Sequence, residues 1–112
     1  MRQVILDTSF ILTCIKQKID FFEMLEHEGF QIVVPNQVID ELMGLGAQLA
    51  LNILGKNKFT IVKFPGKDAD AAILKFSRKN PLAIVATLDR ELQKKIKNHK
   101  MIIRQKKKIE II

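Results

Sequence analysis

At 112 residues with 47% hydrophobic side chains, the chain has apolar material for one buried core but not for two, and it predicts a single domain over residues 1–112. One cysteine, Cys14, excludes a disulfide framework and a thiolate zinc cluster, and makes a reducing, intracellular setting the default. No stretch approaches the ~20 apolar residues of a membrane span and no signal-peptide pattern follows Met1, so a soluble, cytoplasmic protein with no membrane partner is expected.

Short apolar runs alternate with longer segments of helical period, the pattern of a parallel sheet covered by helices. Val4-Ile5-Leu6 is the first strand, and its continuous apolar character suits burial on both faces. Thr8 to Lys16 and Asp20 to Glu28 read as helices, the second with a stripe of Phe21, Phe22 and Leu25, and Gly29 stops it. Gln31 to Val34 is the second strand. Pro35-Asn36 then opens a helix in which Val38, Leu42, Leu45 and Leu49 recur at three- and four-residue spacing. Gly44 and Gly46 weaken that helix and predict a break or bend before it continues to Leu54. Lys58 to Phe64 is the third strand, ended by Pro65-Gly66, and Asp68 to Lys79 a helix that buries Ile73, Leu74 and Phe76. Asn80-Pro81 closes it. Leu82 to Ala86 is the fourth strand, Arg90 to Asn98 a helix, and Met101 to Arg104 the fifth strand, while Ile109 to Ile112 reads as either a short edge strand or a packed tail.

Charge is uneven along the chain. The formal net charge is +7, and nine of the nineteen Lys and Arg residues lie at or after Arg90, against two acids, Glu91 and Glu110. A basic carboxy-terminal third is the footprint of a nucleic-acid binder or, more plainly, a solvated face.

In open parallel sheets ligands bind outside the carboxyl ends of the strands, so the position of an acid says more than its presence. Asp7 directly follows the first strand and Asp89 lies just beyond the fourth. Glu41 sits two turns into the helix after the second strand, and Asp68 and Asp70 open the helix after the third. Singly, Asp7, Asp68 and Asp89 read as helix caps or dipole partners, and Asp40 and Glu41 as a solvated helix face. Together they converge on one sheet edge, where carboxylates repel unless a cation sits among them. A hard divalent ion, Mg²⁺ or Mn²⁺, meets that need with oxygen ligands and serves phosphoryl chemistry. His27 and His99 lie far from these strand ends and Cys14 reads as a small core residue, so no Ser/His/Asp or Cys/His set is apparent.

Four pieces of the chain, ILDTSF at 5–10, VIDEL at 38–42, DADAAIL at 68–74 and VATLDREL at 85–92, resemble the PIN-domain ribonucleases in content and order. VATLDRELQKKIK and IIRQKKKIEI look particularly like the group that includes the rRNA-processing endonucleases of archaeal and eukaryotic ribosome biogenesis. The resemblance implies an α/β fold of three layers, α/β/α and Rossmann-like, with a central parallel sheet in order 3-2-1-4-5. It also implies Mg²⁺- or Mn²⁺-dependent endonucleolytic hydrolysis of RNA phosphodiester bonds, in rRNA processing or RNA turnover. Carried over residue by residue, the acidic quartet maps to Asp7, Glu41, Asp70 and Asp89. Asp70 is preferred over Asp68 because the family pattern has an apolar residue three positions after the acid, and Ile73 fits.

On that mapping Asp7, Asp70 and Asp89 hold the metal, Glu41 positions or deprotonates the attacking water, and Thr87 and Ser9 orient water or a phosphate oxygen, with Asp68 in support. Arg90, Lys94, Lys95, Lys97, Arg104, Lys106, Lys107 and Lys108 are expected to track the RNA backbone. With seven Phe and no Tyr or Trp, base stacking is expected to be minor. Two further readings stay open. Leu88 stands where toxin-type members often carry Asn, which weighs against a toxin-type ribonuclease of a toxin–antitoxin pair, and the presence of all four acids weighs against a catalytically inactive RNA-binding module. RNA, single-stranded or structured rRNA, is the implied partner, and a homodimer, a ribosome-assembly factor or an antitoxin is compatible with it.

Overall fold

Strands β1 (Gln3–Leu6), β2 (Gln31–Pro35), β3 (Thr60–Val62), β4 (Ile84–Ala86), β5 (Lys100–Arg104) and β6 (Lys108–Ile111) form one sheet in the computed structural model, which describes residues 2–105 and 107–112. Their order is β3-β2-β1-β4-β5-β6, parallel except for the antiparallel β5–β6 pair. Six helices accompany them among the described residues: α1 (Thr8–Lys16), α2 (Phe21–His27), α3 (Asn36–Gly44), α4 (Gln48–Lys56), α5 (Ala69–Lys79) and α6 (Arg90–Lys95). The helices that connect the parallel strands flank the sheet, so the expected three-layer α/β/α fold and its strand order are observed. The sheet gains a sixth strand, because Ile109 and its neighbours form an edge strand on β5 and not merely a packed tail.

Burial follows position in the sheet. Val4, Ile5, Leu6, Val33, Val34, Ile84, Val85 and Ala86 are sealed completely, as central parallel strands covered on both faces require. Phe10, Ile11 and Cys14 of α1 and Phe21 and Phe22 of α2 complete the core, Phe10 meeting Phe21 edge to face at 6.2 Å between centroids. Burial pushes the Cys14 thiol up to about 12, which leaves no reactive thiolate.

Two glycines terminate helices in the same way. Beyond α2, Gly29 adopts φ +81, its N–H donates to the Glu26 carbonyl, and the Phe30 N–H donates to the Leu25 carbonyl, both at 3.0 Å. Beyond α3, Gly46 adopts φ +64, with its N–H on the Met43 carbonyl (3.1 Å) and the Ala47 N–H on that of Leu42 (3.0 Å). The second closure splits the expected long helix into α3 and α4 and resets its phase. Val38 and Leu42 are buried as expected, but Leu45 and Leu49, expected on the same stripe, are 65% and 60% exposed. Nothing lies within 4 Å of a Cβ added at Gly46. Gly46→Ala should therefore destabilise through the backbone alone, by about 1 kcal/mol, read from the midpoint of urea unfolding.

Several element ends differ from expectation, and at three of them a hydrogen bond shows why. β3 is shorter than 58–64 because the Phe64 N–H is taken by Asn36 Oδ1 at 2.9 Å and not by the sheet. β4 begins at Ile84, since the Ala83 N–H turns back to the Asn80 carbonyl at 3.0 Å. α6 stops at Lys95 and not at Asn98, whose buried amide donates to the carbonyls of Ser77, Asn80 and Ala83 and holds the chain in a turn. Among the described residues no helix is long and apolar enough to cross a membrane.

Candidate active site

Beyond Leu6 the chain keeps the register of the β1–β4 ladder for one more bond, the Asp7 N–H donating to the Ala86 carbonyl at 2.9 Å. Asp7 then caps α1, its Oδ1 accepting from the Thr8 N–H at 2.8 Å. Its other oxygen, Oδ2, accepts from Thr87 Oγ1 at 2.7 Å and, at 3.4 Å, from Ser9 Oγ. Thr87, wholly buried, also accepts from the Asp89 N–H at 3.1 Å, while Ser9 Oγ accepts from the Leu88 N–H at 3.0 Å. Two hydroxyls thus fasten the exit of β1 to the exit of β4. Asp89 caps α6, accepting from the N–H groups of Glu91 (3.0 Å) and Leu92 (3.3 Å).

The third acidic segment divides its labour. Asp68 caps α5, accepting from the N–H groups of Asp70 (2.9 Å) and Ala71 (3.3 Å), so its carboxylate is held at the helix end. Asp70, one step into the helix, faces a cavity of about 520 Å³ together with Asp7, Glu41 and Asp89. Ser9 lines the same cavity, with Leu12 and Leu45 as apolar wall. Glu41 reaches it from α3, where it accepts from Thr8 Oγ1. Thr8 therefore serves two acids, its N–H binding Asp7 and its hydroxyl Glu41. Sequence reasoning passed over it: its place beside Asp7 was visible, but its contact with a residue 33 positions away was not.

Among the described residues no cationic side chain lines the cavity. Burial holds the Asp7 carboxyl above the ordinary carboxylate range, opposed by its bonds to Thr87 and Thr8 and reinforced by Glu41. Asp70 is also raised, first by burial and then by the charges of Asp7, Asp89, Asp68 and Glu41. The ion pairs among the described residues are Lys94–Glu91 and Arg104–Glu110, and neither touches the cavity. An all-oxygen, anionic donor set of this kind suits a hard divalent cation. Among the described residues no three such donors are gathered at ligand distance. A larger hollow of about 660 Å³ lies between α2 and β6, lined by Met24, Phe30, Ile109 and Ile111 among others, but it draws no acids together from separate strand ends.

The residues singled out from sequence are placed unevenly. Asp7, Ser9, Glu41, Asp70 and Asp89 share the cavity, whereas Thr87 lies behind Asp7 with its hydroxyl engaged on protein groups. Arg90 is exposed at the start of α6, next to Asp89. Lys94, Lys95 and Lys97 follow a helix that runs from the site edge towards the start of β5, and Lys94 pairs with Glu91 at 3.5 Å. Arg104, Lys107 and Lys108 belong to the β5–β6 hairpin, where Arg104 pairs with Glu110 at 3.1 Å and the Lys107 N–H donates to Gln17 Oε1 at 3.0 Å. Lys106 lies outside the described residues.

Comparison with known proteins adds three findings. The model of a family described as a PIN-like domain matches residues 4–108. Ribonuclease VapC4 of Methanocaldococcus jannaschii is 34% identical over 127 residues of alignment, which cover 99% of this chain and 97% of that protein. The solved structure of the PIN domain endonuclease Utp24 superposes with a TM-score of 0.87 at 28% identity, covering 97% of this chain and 90% of that one.

Proposed function

This chain belongs to the PIN-like domain family, and on that premise we propose that it is a divalent-metal-dependent endoribonuclease acting at the cavity of Asp7, Glu41, Asp70 and Asp89. One observation carries the reading: four carboxylates from four separate segments face one cavity, and among the described residues no cationic side chain lines it. The relatives supply the rest, one being named a ribonuclease and the other an endonuclease. Residues 1–112 act as one domain in this proposal, and the setting is rRNA processing or RNA turnover. A toxin-type ribonuclease would use the same chemistry.

Asp7, Asp70 and Asp89 would hold Mg²⁺ or Mn²⁺, directly or through water, and the bound ion supplies neutralisation of the phosphoryl group and a more acidic water. Glu41, on the exposed side of the cavity, orients the attacking water and takes its proton, with the Thr8 hydroxyl fixing one carboxylate oxygen. Thr87 and Ser9 keep Asp7 and the Asp89 turn in register. Basic residues beyond Arg90 contact the RNA backbone.

The test is cleavage of end-labelled single-stranded RNA and rRNA fragments with Mg²⁺, with Mn²⁺ and with chelator. Internal cuts should appear with metal and disappear with chelator. The same ion, at a hundredfold over its Kd, should stabilise the fold by about 2.7 kcal/mol, read as a rise in Tm. Cleavage that survives chelation, or that no divalent ion supports, would count against the proposal.

A further inference from the structure

The β3–α5 connection is anchored more firmly than an exposed loop needs. Lys63 follows β3 at the carboxyl edge of the parallel strands, Lys67 immediately precedes the α5 cap Asp68, and both are exposed. Between them Phe64-Pro65-Gly66 turns, with Gly66 at φ +88. Two side chains from the first turn of α3 grip this turn. Gln37, 1% exposed, donates from Nε2 to the carbonyls of Phe64 (2.8 Å) and Gly66 (3.1 Å), with a longer contact to that of Pro65 (3.4 Å). Asn36 accepts from the Phe64 N–H at 2.9 Å and donates to its carbonyl at 3.4 Å. The arrangement leaves Gln37 Oε1 buried without a partner, a penalty the fold carries to fix a surface turn.

The scaffold that fixes this turn also carries the acids. Glu41 lies one helical turn beyond Gln37 on α3, and Asp70 lies three residues beyond Lys67 on α5. Among the described residues neither Lys63 nor Lys67 forms an ion pair, in contrast to Lys94 and Arg104. A cavity with this much negative charge repels a polyanion, so an RNA strand can settle over it only where cations border it. Lysines on a pre-ordered turn lose less freedom on binding than lysines on a mobile one.

We propose that Lys63 and Lys67 form a rigid cationic rim that seats the phosphodiester backbone of RNA on the β3 side of the acid cavity, opposite Arg90 on the β4 side. Two strands separate β3 from β4, so the rims stand about 14 Å apart and the RNA crosses the strand ends between them. This path rests on the ribonuclease reading and adds a contact on the β3 side to those of the basic residues beyond Arg90.

The experiment measures binding of a labelled, unstructured oligoribonucleotide in Mg²⁺ across a series of salt concentrations, with Asp70→Asn in every rim and control variant to prevent cleavage, beside binding and cleavage by the wild-type chain. Lys63→Ala/Lys67→Ala should weaken binding about tenfold at moderate salt and flatten the slope of log K against log salt by about 1.4, the share of two single-strand phosphate contacts. Lys75→Ala/Lys79→Ala, an equal charge change on α5, should leave the slope unchanged. Equal losses in both double variants, or an unchanged slope in the first, overturn the rim. Wild-type chain that neither binds nor cuts RNA overturns the ribonuclease reading with it, whereas wild-type cleavage with an unaltered rim variant overturns the rim alone.

Discussion

Asp70→Asn is expected to abolish RNA cleavage and, measured in chelator, to raise the melting temperature. The second effect follows from the environment of the side chain. Asp70 is held above its ordinary value of 3.8 by burial first, then by the charges of Asp7, Asp89, Asp68 and Glu41. Between the ordinary and the raised value the folded chain binds more protons than the unfolded one, so stability falls as pH rises through that window and stays lower above it. An amide is neutral at every pH and escapes the loss. Thermal melts in chelator from about pH 4 to 8 should therefore show wild type declining relative to the variant on the acidic side and remaining below it at neutrality. Losing a metal ligand forfeits several kcal/mol of transition-state stabilisation, and each 1.36 kcal/mol is a factor of ten, so cleavage should drop about a hundredfold or more. A variant less stable than wild type at neutral pH would mean that the Asp70 charge is already compensated.

Thr87→Val is expected to damage both folding and catalysis, although valine fills nearly the same volume. The hydroxyl donates to Asp7 Oδ2 and accepts from the Asp89 N–H inside a fully buried site. Its removal strips a buried carboxylate of a donor and leaves a backbone N–H without an acceptor, at about 2 kcal/mol. For a chain of this length that lowers Tm by roughly 8 °C. Because the Thr87 bond holds the Asp7 carboxyl down against burial, its loss also pushes that group further up and weakens its grip on a cation. Metal affinity, by calorimetric titration with Mn²⁺, should fall about ten- to a hundredfold, the usual effect of losing a group that orients a ligand. Thr87→Ser keeps the hydroxyl and should recover most of both losses. Unchanged stability and affinity in Thr87→Val would show that something else orders Asp7.

Much of the fold was legible because it rests on local pattern. Val4-Ile5-Leu6 read as a strand buried on both faces and Ile84-Val85-Ala86 as part of the fourth strand, and both stretches are sealed in the structure. The convergence of Asp7, Glu41, Asp70 and Asp89 followed from the rule that strands in a parallel sheet deliver their following residues to one edge, and all four line one cavity. What periodicity missed depended on contacts from elsewhere. Leu45 and Leu49 kept the helical spacing on paper, but the closure at Gly46 rotated them out of the core. The end of α6 is set by Asn98, whose partners lie 15 to 21 residues upstream. Counting charges located a basic carboxy-terminal third, but direction along α6 and the pairing of Arg104 with Glu110 needed coordinates. Lys63 and Lys67 drew no notice because nothing in the sequence says which edge of the sheet they border. Only the turn that carries them shows where they stand.

The hydroxyl bridge between Thr87 and Asp7 spans 80 positions of sequence. Strands β1, β2 and β3 are adjacent in the sheet and can pair as they emerge during synthesis, but β4, which flanks β1 on its other side, arrives late. Until then Asp7 lacks its donor and the cavity lacks Asp89. The site is complete only when β4 and the turn that carries Asp89 join the sheet beside β1.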